Sequence, residues 1–244
     1  MERKNWFSVA RRAVAEVLVI VTGVLIALAV NNWSAERAAR RAEQAYLRSL
    51  ADDLAQDIAQ LDTAMALIRR RQESAWMALR TTRDSRPVTD TAAFVRQLSE
   101  ASLLWNYRPI AHTFEDLKST GNLQLLQSRE IRRGISDYYN VLFLAFDAWV
   151  EESFWTRFRP LLFTYLDAAD VAELFYADGR LLESAENQNV GAMPRIDIAG
   201  LKGNAGVERG LEMIILTMSQ QLRMLAGQRE KGSALRTVVS SALK

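Results

Sequence analysis

The stretch that decides the architecture is residues 17–30, VLVIVTGVLIALAV, which carries no charge. Alone it has the length of a signal-peptide core or a buried helix. Its flanks extend it. From Val14 to Trp33 the chain has only three strongly polar residues, Glu16, Asn31 and Asn32, all near an end. That span makes about 30 Å of helix, the thickness of a hydrocarbon core. Trp6 and Trp33 stand about 40 Å apart along such a helix, which matches a bilayer with its headgroups and suits two interfacial anchors. The sequence therefore predicts a basic tail over 1–12, with Arg3, Lys4, Arg11 and Arg12, and a transmembrane helix over 13–33.

A cleavable signal peptide is the rival reading. The same basic residues would form its n-region, and Ala27-Leu28-Ala29 has the small-residue pattern of a cleavage site. Against cleavage, Trp33-Ser34-Ala35-Glu36 leads without a breaker into a long Ala/Arg/Glu-rich segment. Glu16 lies about one turn from Arg11 and Arg12, where a carboxylate reaches the interface or pairs; this outweighs a role in an ion path. Gly23 and Ala27 form a small-xxx-small pair, which is common by chance.

Residues 34–82 read as one very long helix. Leu47, Leu50, Leu54, Ile58, Leu61, Met65 and Ile68 recur at spacings of three and four, an apolar stripe near the helical period. Asp52, Asp53, Gln56, Asp57, Gln60 and Asp62 fall between them and read as a solvated face. The stripe packs within the chain or pairs with a second copy as a coiled coil; the other helices of the body favour the first. Asp84-Ser85-Arg86-Pro87 reads as a turn. Thr89 or Asp90 suits the cap of a helix to about 105, and Pro109 opens a short helix to about 120 that Gly121-Asn122 ends in a left-handed cap. The most apolar part of the body, 128–166, predicts one helix with a face of Ile135, Tyr139, Leu142, Phe146, Trp149 and Val150, kinked or ended at Pro160. Residues 167–205 concentrate turn formers. A last helix over about 207–240 buries Leu211, Ile215, Met218, Leu222 and Leu225, with Gly227 and Gly232 weakening its later half. The fold class is all-α: one N-terminal transmembrane helix continuing into a long helix, followed by a bundle-like helical body over 34–244.

Two blocks look familiar. EVLVIVTGVLIALAVNNW, from Glu16 to Trp33, resembles the N-terminal signature of a bacterial family of uncharacterised single-pass membrane proteins. In that family a Glu-led apolar helix ends in an Asn-Trp step, here Asn32-Trp33, before a charged helix. The second block, FEDLKSTGNL from Phe114 to Leu123, is similar to its mid-chain leucine-lysine-serine-x-glycine motif, here Leu117, Lys118, Ser119 and Gly121, with Leu123 following. Tyr138-Tyr139 matches its paired tyrosines. The resemblance implies an anchor in the bacterial inner membrane and a helical body. It brings no activity and no catalytic residues.

Composition narrows the chemistry. The 244 residues are 49% apolar and 25% charged, ordinary for a folded protein. Thirty-one basic and 29 acidic residues leave a net charge of +2, no basic surface for nucleic acid. Cysteine is absent, so disulfides and thiolate ligands are excluded, and His112 is the only histidine. His112 and Glu115 share a helical face, but one histidine without a second ligand motif is a weak metal or acid-base signal. Phosphate-loop, dinucleotide and nucleophile-elbow motifs are missing. No catalytic, cofactor or metal residues are expected. The expected function is a non-enzymatic interaction or scaffold module tethered to the lipid bilayer, with a protein partner and a second copy of the chain as the partners left open. The alternative is a ligand-sensing domain, which a cavity lined by Tyr139, Trp149 and Trp155 would favour. Four basic residues before the span against Arg37, Arg40 and Arg41 after it leave orientation nearly tied. The short basic tail, which resembles an uncleaved signal sequence, tips the body to the outer or periplasmic face.

Overall fold

An 81-residue helix, α1 (Arg3–Arg83), is the spine of the protein, about 120 Å long at 1.5 Å per residue. The computed structural model describes residues 3–103, 107–140, 149–165 and 197–243, and within these not the side chains of 3–15, 17, 19, 92 and 155. No breaker interrupts α1, so the apolar segment and the body share one rod, and no strand occurs among the described residues. The remaining elements are α2 (Thr91–Ala101), α3 (His112–Ser119), a 3-10 turn (Asn122–Leu125), α4 (Arg129–Tyr139), a π-turn (Glu152–Phe158) running into α5 (Arg159–Phe163), a short α6 (Ile198–Leu201), and α7 (Ala205–Ser241).

The body is held by α1 and α7, packed antiparallel. On α1 the seam is Leu47, Leu50, Leu54, Asp57, Leu61, Ala64, Ile68, Ala75, Ala78 and Thr82, with Asp53, Met65, Ser74 and Leu79 also buried beside it. On α7 it is Val207, Leu211, Ile214, Met218, Gln221, Leu225, Gln228, Gly232, Leu235 and Val239, with Ile215 and Thr217 also buried. Apart from one step of seven between Ile68 and Ala75, both series alternate steps of three and four, the seam of a coiled coil, so the apolar stripe packs within the chain. Cross-ties fix the register. Gln44 Nε2 donates to Ala242 O (3.4 Å), Arg229 Nε to Asp62 Oδ1 (2.6 Å), Gln72 Nε2 to Ile215 O (3.0 Å) and Arg83 Nε to Glu208 Oε2 (3.1 Å). The C-terminal end of α7 thus returns toward the apolar segment. Helix α7 runs unbroken through Gly227 and Gly232. Gly232 is where the Tyr138 ring approaches the helix, and a Cβ there would lie 2.9 Å from the Tyr138 hydroxyl oxygen.

Caps agree with the expected turns. Asp90 accepts from Ala93 N (2.8 Å) to start α2, and Asn204 Oδ1 accepts from Gly206 N and Val207 N to start α7. Gly121 has φ +73° after α3, the left-handed conformation expected of it, with open space around its Cα. Gly121→Val should therefore lower body stability by about 1 kcal/mol or more through backbone strain alone. Unchanged thermal stability by circular dichroism would contradict this.

Three expected boundaries are corrected. Helix α3 starts at His112, not at Pro109, because α1 carboxylates hold the preceding segment (Asp57 accepts from Ile110 N at 3.1 Å). The expected single helix over 128–166 is broken: α4 ends at Tyr139 with Asn140 as its cap, and helix resumes by Trp149. Leu142, Phe143 and Phe146 lie outside the described residues, as do Trp105 and 166–196, which hold most of the expected irregular segment. Pro160 neither ends nor follows a plain α-helix. A π-turn precedes it, the wider coil that absorbs the missing N–H and the ring's clash with the preceding turn, and helix continues to Phe163.

Candidate functional site

Two apolar clusters fill the body, and a buried carboxylate lies where they meet. Near the apolar segment, Leu47, Leu50 and Leu54 pack with Phe114, Leu117, Leu126, Ile131, Ile135, Tyr138, Leu235 and Val239. Farther along, Leu61 to Leu79 pack with Phe94, Leu98, Tyr107, Phe154, Phe158 and the first half of α7. Between them Asp57 is 0% exposed. Its Oδ2 accepts from the Tyr107 hydroxyl (2.6 Å) and from the Tyr138 hydroxyl, and its Oδ1 from Ile110 N. Among the described residues no cation pairs with it. Three donors on a carboxylate give charge-assisted hydrogen bonds, each worth about 1.5–3 kcal/mol in place of the hydration lost.

One turn earlier Asp53 Oδ2 accepts from Thr113 N (2.8 Å), so α1 caps the start of α3 where Ala111 has no capping side chain. Farther down α1, Asn122 Nδ2 donates to the Tyr46 hydroxyl (3.0 Å) and Gln127 N to Glu43 Oε1 (2.6 Å). One face of α1 thus clasps the whole block from Tyr107 to Tyr139 through Glu43, Tyr46, Asp53 and Asp57. Gln228 of α7 closes it, donating to Tyr138 O (3.0 Å). Tyr139 stacks on Phe114 (centroids 5.0 Å, 15°) and meets Tyr138 edge-on (4.9 Å). Among the described residues the Tyr139 hydroxyl has no hydrogen-bond partner. Burial first, then the hydrogen bond to Asp57, pushes the Tyr107 and Tyr138 hydroxyls well above the ordinary tyrosine pKa. For Tyr139 burial leads, followed by the charges of Asp53 and Asp57.

The solvated-face reading of Asp53 and Asp57 is therefore wrong, while Asp52 is exposed as expected. The expected stripe ran through Ile58 and Met65, and Met65 is buried as expected. Asp57 and Ala64 are fully buried beside it, while Ile58 is half-buried. Tyr107 was not singled out by the sequence. The findable signal was an aspartate three residues after Leu54 and four before Leu61, in phase with the seam.

The expected site residues divide into two groups. Leu117 is fully buried, Leu123 packs against the same cluster, Gly121 turns the chain, and Tyr138 and Tyr139 complete the clasp. Lys118 and Ser119 are local: Lys118 Nζ lies 3.9 Å from Glu115 and 5.8 Å from the Phe114 ring, and Ser119 Oγ donates to Asp116 O (3.1 Å). The anchor residues Glu16, Gly23, Ala27, Asn32 and Trp33 are exposed, with the Arg37 guanidinium 5.2 Å over the Trp33 ring; the Trp6 side chain lies outside the described residues. Among the described residues no helix is long and apolar enough to cross a membrane. The expected span, however, includes Val14, Ala15, Val17 and Val19, whose side chains are not described. His112 is exposed, and no group of three or more potential metal ligands occurs among the described residues. A groove of about 380 Å³ lies on the outer face of α1, lined by Arg69, Gln72, Glu73, Trp76 and Arg80, not by Tyr139 or Trp149; the Trp155 side chain is not described.

An unbroken spine helix, an antiparallel partner helix and a polar clasp around a short-helix block define an all-α protein organised on one helical hairpin. Residues 16–147 match the model of the family of unknown function DUF6090, and the chain belongs to that family. The match runs from the apolar segment through the clasped block and stops short of α7. No curated protein and no solved structure matches the chain.

Proposed function

We propose that the protein is a membrane-anchored helical interaction or scaffold module without enzymatic activity, seated in the bacterial inner membrane with its body on the outer, periplasmic side. The observation that carries this reading is the bare apolar segment of α1. Leu18, Ile20, Val24, Leu25, Ile26, Leu28, Val30 and Trp33 are each more than half exposed, around the whole circumference of the helix. In water, leaving eight such side chains uncovered forgoes on the order of 10 kcal/mol, comparable to the whole stability of a domain. A helix apolar all round belongs in a core or a bilayer. Trp33, Asn31 and Asn32 then mark the interface, and Arg37, Arg40 and Arg41 follow in water. The buried carboxylates support the non-catalytic part, since tyrosine hydroxyls and backbone amides occupy Asp57 and Asp53.

The full chain should stay in the membrane pellet through alkaline carbonate and keep its N-terminus at or near Met1. A soluble product beginning near Val30 would replace the anchor with a cleaved signal peptide. Alkaline phosphatase fused after Lys244 should be active, whereas a fluorescent but phosphatase-inactive fusion would put the body in the cytoplasm.

A further inference from the structure

We infer that a second copy of this chain packs against the flank of the α1–α7 pair that carries Trp76 and Leu216, with these two side chains at the centre of the contact. This rests on the proposed anchor for the relative orientation of the two copies. Trp76 and Leu216 are 48% and 50% exposed, the two largest exposed apolar side chains of the body's helical pair. They stand level on one flank. Gln72 reaches Ile215 O and Ser219 Oγ (2.6 Å) on one side of them, and Arg83 reaches Glu212 on the other. The opposite flank of α1 is covered by α2, through Ser74 Oγ to Glu100 (2.5 Å) and Arg71 Nη1 to Leu103 O (3.4 Å). The groove beside Trp76 opens on the flank that no described element covers.

Charge selects the occupant. Around the two apolar side chains lie Arg69, Arg80 and Arg83 with Glu73, Glu208 and Glu212, three charges of each sign, of which Arg83 bridges Glu208 and Glu212 within the chain. A flank balanced in this way offers like charge to a strongly acidic or a strongly basic partner, but it complements itself. Two copies anchored in one bilayer with the same orientation are related by a two-fold axis along the membrane normal, which sets equal heights opposite each other. Trp76 of each copy then meets Leu216 of the other, and Arg80 meets Glu212. A buried aromatic anchor within a polar rim is the usual anatomy of such a contact, and confinement to a membrane raises the effective concentration of the second copy.

The absence of cysteine makes the test clean. Full-length Trp76→Cys and Leu216→Cys chains, differently tagged, are co-expressed and oxidised in intact membranes. Asp137→Cys, on the exposed side of α4, serves as the collision control. The expected result is a mixed disulfide dimer formed at least tenfold more efficiently than the control dimer, and reduced several-fold when Arg80→Glu is added to the Trp76→Cys chain. A yield no higher than the control, or one indifferent to Arg80→Glu, overturns the contact. The crosslink is read in whichever fraction holds the chain. Loss of the protein from the carbonate pellet therefore reports on the anchor, and loss of the crosslink reports on the flank.

Discussion

Replacing Asp57 by alanine should destabilise the body by about 3 kcal/mol or more, because it strands several buried donors at once. The Tyr107 and Tyr138 hydroxyls and the Ile110 amide all converge on this carboxylate, and the site is closed to water at 0% exposure. Each stranded group forfeits about 1–3 kcal/mol of desolvation that its hydrogen bond had offset. The loss is conditional on the partners. In the triple variant Asp57→Leu, Tyr107→Phe, Tyr138→Phe every one of these side-chain polar groups is gone, leaving only the Ile110 amide to be met. That variant should recover at least half of the stability lost in Asp57→Ala, since a packed apolar layer often matches a buried polar one. Urea unfolding of residues 34–244 followed by circular dichroism measures both. Additive losses across the three positions would mean that the hydroxyls find other partners and that the clasp is not a unit.

How much of this was legible in the sequence varies with the range of the interaction. The spine, the Asp90 cap, the Gly121 turn and the closing helix were all readable, because each depends on residues within a few positions of one another. The uninterrupted run from the apolar segment into Leu47 and beyond was readable from the absence of proline and, after Gly23, of glycine up to Arg83. The polar clasp was not readable. Tyr107 and Tyr138 approach Asp57 from 50 and 81 residues away. No local pattern distinguishes an aspartate with such partners from one facing water. Steps of three and of four both keep a residue near the seam, so after Leu54 the apolar Ile58 was the natural reading, yet Asp57 is fully buried and Ile58 only half-buried. The paired tyrosines show a further limit. They could be recognised as a motif, yet only packing separates their tasks: Tyr138 donates to the carboxylate, while Tyr139 stacks on Phe114. The break after Tyr139 was hidden for another reason. The residues after Asn140 are apolar, and periodicity alone does not reveal where an apolar helix stops.

The same cluster predicts a steep loss of stability in alkali. Burial and the hydrogen bond to Asp57 raise the pKa of Tyr107 and Tyr138 in the folded protein above that of an exposed tyrosine. A raised folded value means that the folded state holds these protons after the unfolded chain has begun to release them. The stabilisation is fully present below about pH 10, the unfolded tyrosine value, and declines as pH rises above it. The limiting slope is about 1.4 kcal/mol per pH unit for each of the two tyrosines, so one unit above pH 10 removes a substantial part of a typical domain's margin. The double variant Tyr107→Phe, Tyr138→Phe has no such protons to lose. It should be less stable than the parent at pH 8 and should show a much shallower decline between pH 9 and pH 11, so that the two curves converge. Thermal melts of both chains across that range, read by circular dichroism, give the comparison directly, and the lysines and arginines common to both cancel from the difference. Parallel curves would show that the two hydroxyls ionise in the folded protein as freely as in the unfolded chain, and would remove the clasp as the source of the alkaline transition.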